Sequence, residues 1–112
     1  MTTQKTAIVT AAGKGIGAAI ARELAGAGYN LALLSPSGAA ETLAAELGGF
    51  GLTGSVTNPA DLQALVEGTM AKYGRIDAVV NHTGHPPKGP LLEIPDEDWH
   101  KGLDLVLLNV TR

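Results

Sequence analysis

Three glycines, Gly13, Gly15 and Gly17, alternate with Lys14 and Ile16 between the apolar run Ala7-Ile8-Val9 and an alanine-rich segment. A glycine-rich turn leading from a strand into a helix presents unpaired backbone N–H groups at the positive end of the helix dipole, and the two together attract a phosphate. A Cβ at those turn positions would hold the phosphate off the backbone. The same glycines also suit a tight turn that lets strand and helix pack closely, so the motif has a binding use and a packing use. Residues 13–18, GKGIGA, can be laid on the dinucleotide fingerprint G-x-G-x-x-A, although Thr10, Ala11 and Ala12 then stand between the strand and the first glycine.

Other polar groups carry weaker chemistry. His82, His85 and His100 have a suggestive spacing, but a proline-rich loop without cysteine or paired carboxylates is a poor frame for a metal, and none is expected. Asp96-Glu97-Asp98 follows Pro95 directly, where the positive end of a helix collects acids without any catalytic purpose.

The elements that must position these groups alternate strand with helix. Ala7, Ile8 and Val9 read as a buried strand, and Ile16, Ala19, Ile20 and Leu24 follow at helical spacing, with Gly26 and Gly28 to end the helix. A second strand over 31–34 runs into the breaker Ser35-Pro36-Ser37-Gly38, after which Leu43, Ala44 and Leu47 mark another helix. Residues 50–52 form a weaker third strand. Asn58, Pro59 and Asp61 supply an N-cap, a first-turn proline and a first-turn acid to a helix carrying Leu62, Leu65, Val66, Thr69, Met70 and Tyr73. A fourth strand over 76–80 leads through the loop 82–90 to a last helix starting near Pro95. Four strand–helix units predict a doubly wound parallel α/β sheet of Rossmann-like kind.

Composition narrows the partners. The chain has 112 residues, 45% of them hydrophobic, a net charge of −3 and no cysteine. That is about one domain with a core of its own. No run of Lys or Arg could track a nucleic acid, and no apolar stretch reaches the length of a membrane span. Absence of thiols and a polar start suit a reducing cytoplasm.

Ordered motifs along the whole chain carry a family resemblance. TAAGKGIG at 10–17 resembles the T-G-x-x-x-G-x-G signature of the short-chain dehydrogenase/reductase family, with Ala11 in place of its first glycine. NHTG at 81–84 stands for the family's N-N-A-G, GRID at 74–77 resembles the run entering the fourth strand, and LLNV at 107–110 matches the helix bearing the family's catalytic asparagine. The resemblance implies a catalytic role for Asn109 and a cofactor site drawn from Thr10, Ala12, Gly13, Lys14, Gly15, Ile16, Gly17, Ser35, Ser37, Ser55, Val56, Asn81, His82, Thr83 and Gly84. Relatives preferring NAD place an acid at the end of the second strand. Ser35 stands there, and Lys14 can meet a 2′-phosphate, so NADP(H) is favoured over NAD(H).

The family's Tyr-x-x-x-Lys pair is missing: Leu33 lies four residues beyond Tyr29, and Asp77 four beyond Tyr73. Residues 1–112 are therefore expected to be the cofactor half of a dinucleotide-binding domain, without its catalytic half. Two functions remain open: part of a reductase or dehydrogenase that interconverts a carbonyl and an alcohol, resembling 3-oxoacyl-carrier-protein reductases by family default, or a non-catalytic nucleotide-binding module. The last helix, apolar on two faces through Trp99, Leu103, Val106, Leu107 and Val110 and through Leu105 and Leu108, needs a partner. In relatives it packs between subunits, which implies a homo-oligomer.

Overall fold

Thr6–Thr10 forms β1, and all five of its residues are buried because the strand lies inside a parallel sheet covered on both faces. The computed structural model describes residues 4–83, 89–108 and 110. From β1 the chain continues through α1 (Gly15–Gly26), β2 (Asn30–Ser35), α2 (Ala39–Leu47), β3 (Phe50–Thr53), α3 (Pro59–Tyr73) and β4 (Ala78–Val80). A 3-10 turn at Leu91–Glu93, α4 (Asp96–Leu103) and a π-helical turn at Asp104–Leu108 follow. The strand order is β3-β2-β1-β4, with Ile8 opposite Ala32 on one side and Val79 on the other. Two apolar clusters lie against the sheet, one built on Val9, Leu31, Leu33, Leu43 and Ala44 and the other on Ile8, Ala32, Leu34 and Leu65. The expected doubly wound α/β architecture is what the chain adopts.

Helix boundaries follow local chemistry. Asn58 Oδ1 accepts from the Ala60 amide at 3.0 Å ahead of Pro59, and Gly74 at φ 75° ends α3. Apolar periodicity was a poorer guide to burial. In α1 the fully buried residues are Gly17 and Ala21, with Ile20 and Leu24 packed partly buried against the core beside them, whereas Ile16 is 67% exposed. In α3, Leu65 and Thr69 are buried while Val66 and Met70 stay exposed.

β4 is shorter than the expected 76–80, and at its start the Thr6 amide is taken by the Asp77 side chain instead of a backbone carbonyl of the neighbouring strand. The Asp77 amide donates to Thr6 O and its carboxylate accepts the Thr6 amide, both at 2.8 Å, which clamps the start of β1. Arg75 grips the same carboxylate from outside, and these bonds hold the Asp77 pKa down at about 2. Val79 at this edge is half exposed, as are Trp99, Leu103, Val106, Leu107 and Val110. Leu105 turns inward and packs against the second cluster. Among the described residues no helix is long and apolar enough to cross a membrane, and no three His, Cys, Asp or Glu side chains are grouped to hold a metal.

Candidate functional site

The C-terminal ends of β1, β2 and β4 converge on the turn before α1. Ala12 N donates to Leu34 O at 3.0 Å and ties the turn to β2. Thr10 Oγ1 donates to His82 O at 2.6 Å and accepts from His82 N at 2.9 Å, which ties β1 to the segment leaving β4. Thr10 and Ala12 are themselves buried. They shape the site from beneath.

Each glycine of the turn has its own reason. A Cβ on Gly17 would lie 2.1 Å from Ala11 O, so this position lets α1 sit directly on the turn. A Cβ on Gly13 would lie 2.8 Å from the Ala39 methyl, at the start of α2. Gly15 differs: its φ is +60° and a Cβ there would meet nothing within 4 Å. It is the glycine that borders open space.

That space is a cavity of about 520 Å³ whose walls include Gly13, Lys14, Gly15, Ile16, Ser37 and His82. A volume of this size suits a small-molecule or cofactor site. Lys14, in extended conformation, occupies the N-cap position of α1 without a side-chain cap, and no acid lies in the first turn. In α3, by contrast, Asn58 and Asp61 occupy the corresponding places. The α1 terminus thus keeps its positive end open toward the cavity.

A smaller cleft of about 70 Å³, lined by Leu34, Gly54, Ser55, Val56 and Leu105, shares Ala11, Ser35, Pro36 and Thr83 with the larger one. The two adjoin as a groove over the strand ends, with these four residues between them. Ser35 is buried, and its hydroxyl donates to Ser37 O at 2.6 Å while accepting the Ala40 amide at 3.0 Å. Ser37 Oγ accepts from Ala39 N at 3.3 Å. Both serines therefore cap α2 as well as bordering the groove, and no carboxylate stands at the end of β2.

The structure brings Gly13, Lys14, Gly15, Ile16, Ser35, Ser37, Ser55, Val56, His82 and Thr83 to the groove walls. Thr10, Ala12 and Gly17 support it from behind, and Asn81 is exposed outside both cavities. Gly84, His85 and Asn109 lie outside the described residues. The sequence marks Ala11 as a departure from the motif without placing it in the site, yet it lines both cavities, and its φ of 50° makes it the one non-glycine at positive φ among the described residues. The signal was present, since the resembling motif has glycine at that position.

A family model described as short chain dehydrogenase matches residues 5–111. The chain is 39% identical to oxidoreductase UcpA of Escherichia coli (strain K12), over 96% of this chain and 43% of that protein. It is 34% identical to the 3-oxoacyl-acyl-carrier-protein reductase FabG of the same organism, over 96% of this chain and 46% of that one. Among solved structures, L-sorbose reductase from Gluconobacter frateurii, complexed with NADPH and L-sorbose, superposes with a TM-score of 0.83 at 28% identity, covering 96% of this chain and 44% of that one. The chain thus spans less than half the length of these relatives.

Proposed function

Because the chain belongs to the short-chain dehydrogenase family, we propose that it is the NADP(H)-binding part of an oxidoreductase that interconverts a carbonyl and an alcohol. The observation that carries this reading is Gly15, a positive-φ glycine facing open space at an uncapped helix terminus. The residues present fit a dinucleotide: the α1 terminus and the backbone of residues 13–15 hold the pyrophosphate, and the Ser55–Val56 cleft takes the adenine. When bound, the nicotinamide of such a cofactor exchanges a hydride with the substrate carbon. Lys14 supplies the cation for a 2′-phosphate, and Ser35 leaves no carboxylate to repel it. This favours NADP(H) over NAD(H), which the L-sorbose reductase complex with NADPH parallels.

Asn109 would support proton movement in the intact enzyme. The 112 residues contain no Tyr-x-x-x-Lys pair, so they bind cofactor without turnover. The second reading, a non-catalytic nucleotide-binding module, rests on the same observation. The half-exposed row Trp99, Leu103, Val106, Leu107 and Val110 supports self-association through the last helix. The proposal includes a cytoplasmic setting, with which the cysteine-free sequence is compatible, and neither nucleic acid nor membrane enters it.

Gly15→Asp tests the site. Asp tolerates positive φ and suits a helix N-terminus, so the fold is kept while a negative charge fills the phosphate seat. Loss of NADPH binding in a fluorescence titration, with unchanged circular dichroism, is the expected result. Wild-type affinity in this variant would remove the phosphate reading.

A further inference from the structure

The Ser55–Val56 wall of the groove hangs on a carboxylate that never reaches the groove. Between β3 and α3 the chain makes one short loop. Its first residue is tied to β2, because Gly54 N donates to Ser35 O at 2.8 Å. Its second is tied to α3, because Ser55 N donates to Asp61 Oδ2 at 2.9 Å. The Ser55 hydroxyl is occupied within the loop, 2.7 Å from Thr57 Oγ1 and accepting Thr57 N at 3.1 Å. Gly54 has no side chain where Asp61 lies: a Cβ there would stand 2.8 Å from Asp61 Cγ and 2.9 Å from Oδ2. The Asp61 side chain therefore occupies the space that a side chain on residue 54 would need, and it holds the next amide.

An acid in the first turn of a helix is ordinarily explained by the dipole. That explanation accounts neither for the bond to Ser55 N nor for the close approach to Gly54. Gly54, Ser55 and Val56 all line the smaller cleft, whereas Asp61 does not. We propose that Asp61 is a positioning residue for the adenosine end of the cofactor: it sets the loop that forms the adenine wall, through Ser55 N. The inference rests on the dinucleotide reading above.

Calorimetric titration of the protein with NADPH tests it, using Asp61→Ala, Asp61→Asn and Asn58→Ala. Asn58→Ala removes the cap on the same helix, at Ala60 N, without touching the Ser55–Asp61 bond. It should lower the melting temperature as much as Asp61→Ala does, and leave NADPH affinity at the wild-type value. Asp61→Ala should weaken NADPH about tenfold, the scale of one hydrogen bond to a charged group. Asp61→Asn keeps an acceptor oxygen and should restore affinity to within about twofold. Should Asp61→Ala not fold, Asp61→Glu carries the test, because it keeps the charge in the first turn and moves the acceptor off Ser55 N. Wild-type affinity in the Ala or Glu variant, or an equal loss in Asn58→Ala, overturns the role of Asp61. A wild-type protein that does not bind NADPH overturns the dinucleotide reading, and this inference with it.

Discussion

Replacing Ala11 by glycine should make the protein more stable. Ala11 holds φ 50°, and its conformation is imposed from both sides: Ala12 N is bonded to Leu34 O, and the Ala11 carbonyl lies against Gly17. The turn cannot relax without breaking one of these contacts. An L-residue in the left-handed region costs about 1–2 kcal/mol relative to glycine. Glycine returns roughly 0.4–1 kcal/mol of this through the extra freedom of the unfolded chain. The difference leaves Ala11→Gly about 0.5–1 kcal/mol more stable, which for a domain of this size raises the melting temperature by about 3–6 °C. Calorimetry or thermal circular dichroism at fixed protein concentration reads this directly. A lower melting temperature would show that the methyl group earns more by packing than it loses by strain, and would refute the reasoning.

Gly17→Ala should do the opposite, costing about 1–3 kcal/mol in chemical denaturation, because its methyl would overlap Ala11 O at 2.1 Å; an unchanged denaturation midpoint would contradict the packing role. Lys14→Ala should weaken NADPH by about 1.5–3 kcal/mol and NADH far less, and equal losses in the two titrations would reassign the 2′-phosphate. Asp77 is held at about 2 against the ordinary 3.8, so its contribution to stability is complete above about pH 4 and fades as pH falls toward 2. Asp77→Asn should flatten the urea midpoint across that window, and a slope equal to wild type would contradict the clamp. Leu103→Glu combined with Leu107→Glu should lower the apparent mass in light scattering, whereas a wild-type protein that is monomeric throughout would end the association proposal.

What the sequence made legible was whatever depends on neighbouring residues. Asn58, Pro59 and Gly74 mark the ends of α3 by their own conformational preferences, and the strand–helix alternation then leaves one architecture. The bounds of β4 were not legible, because the Asp77 carboxylate takes the Thr6 amide, 71 residues away, in place of a backbone carbonyl. Ile16 has the right spacing for a core position, yet Gly17 brings α1 so close to the turn that the buried face passes through Gly17 and Ala21 instead. Ser35 was read for its missing charge. Its use as a partner for Ala40 N depends on how the 36–38 loop folds back, which no local pattern encodes. Asp61 was recognised as a helix-start acid, and only the tertiary contact with Ser55 N reveals its second task.

The most direct test of the central claim is an amide NMR titration of the protein with NADPH. Binding over the strand ends predicts that shifts concentrate at residues 11–17, 35–37, 54–56 and 82–83, with Gly15 among the largest. They should be weaker with NADH near Lys14 and Ser37. Saturable binding that leaves residues 13–15 unmoved, or no binding at all, would contradict the account.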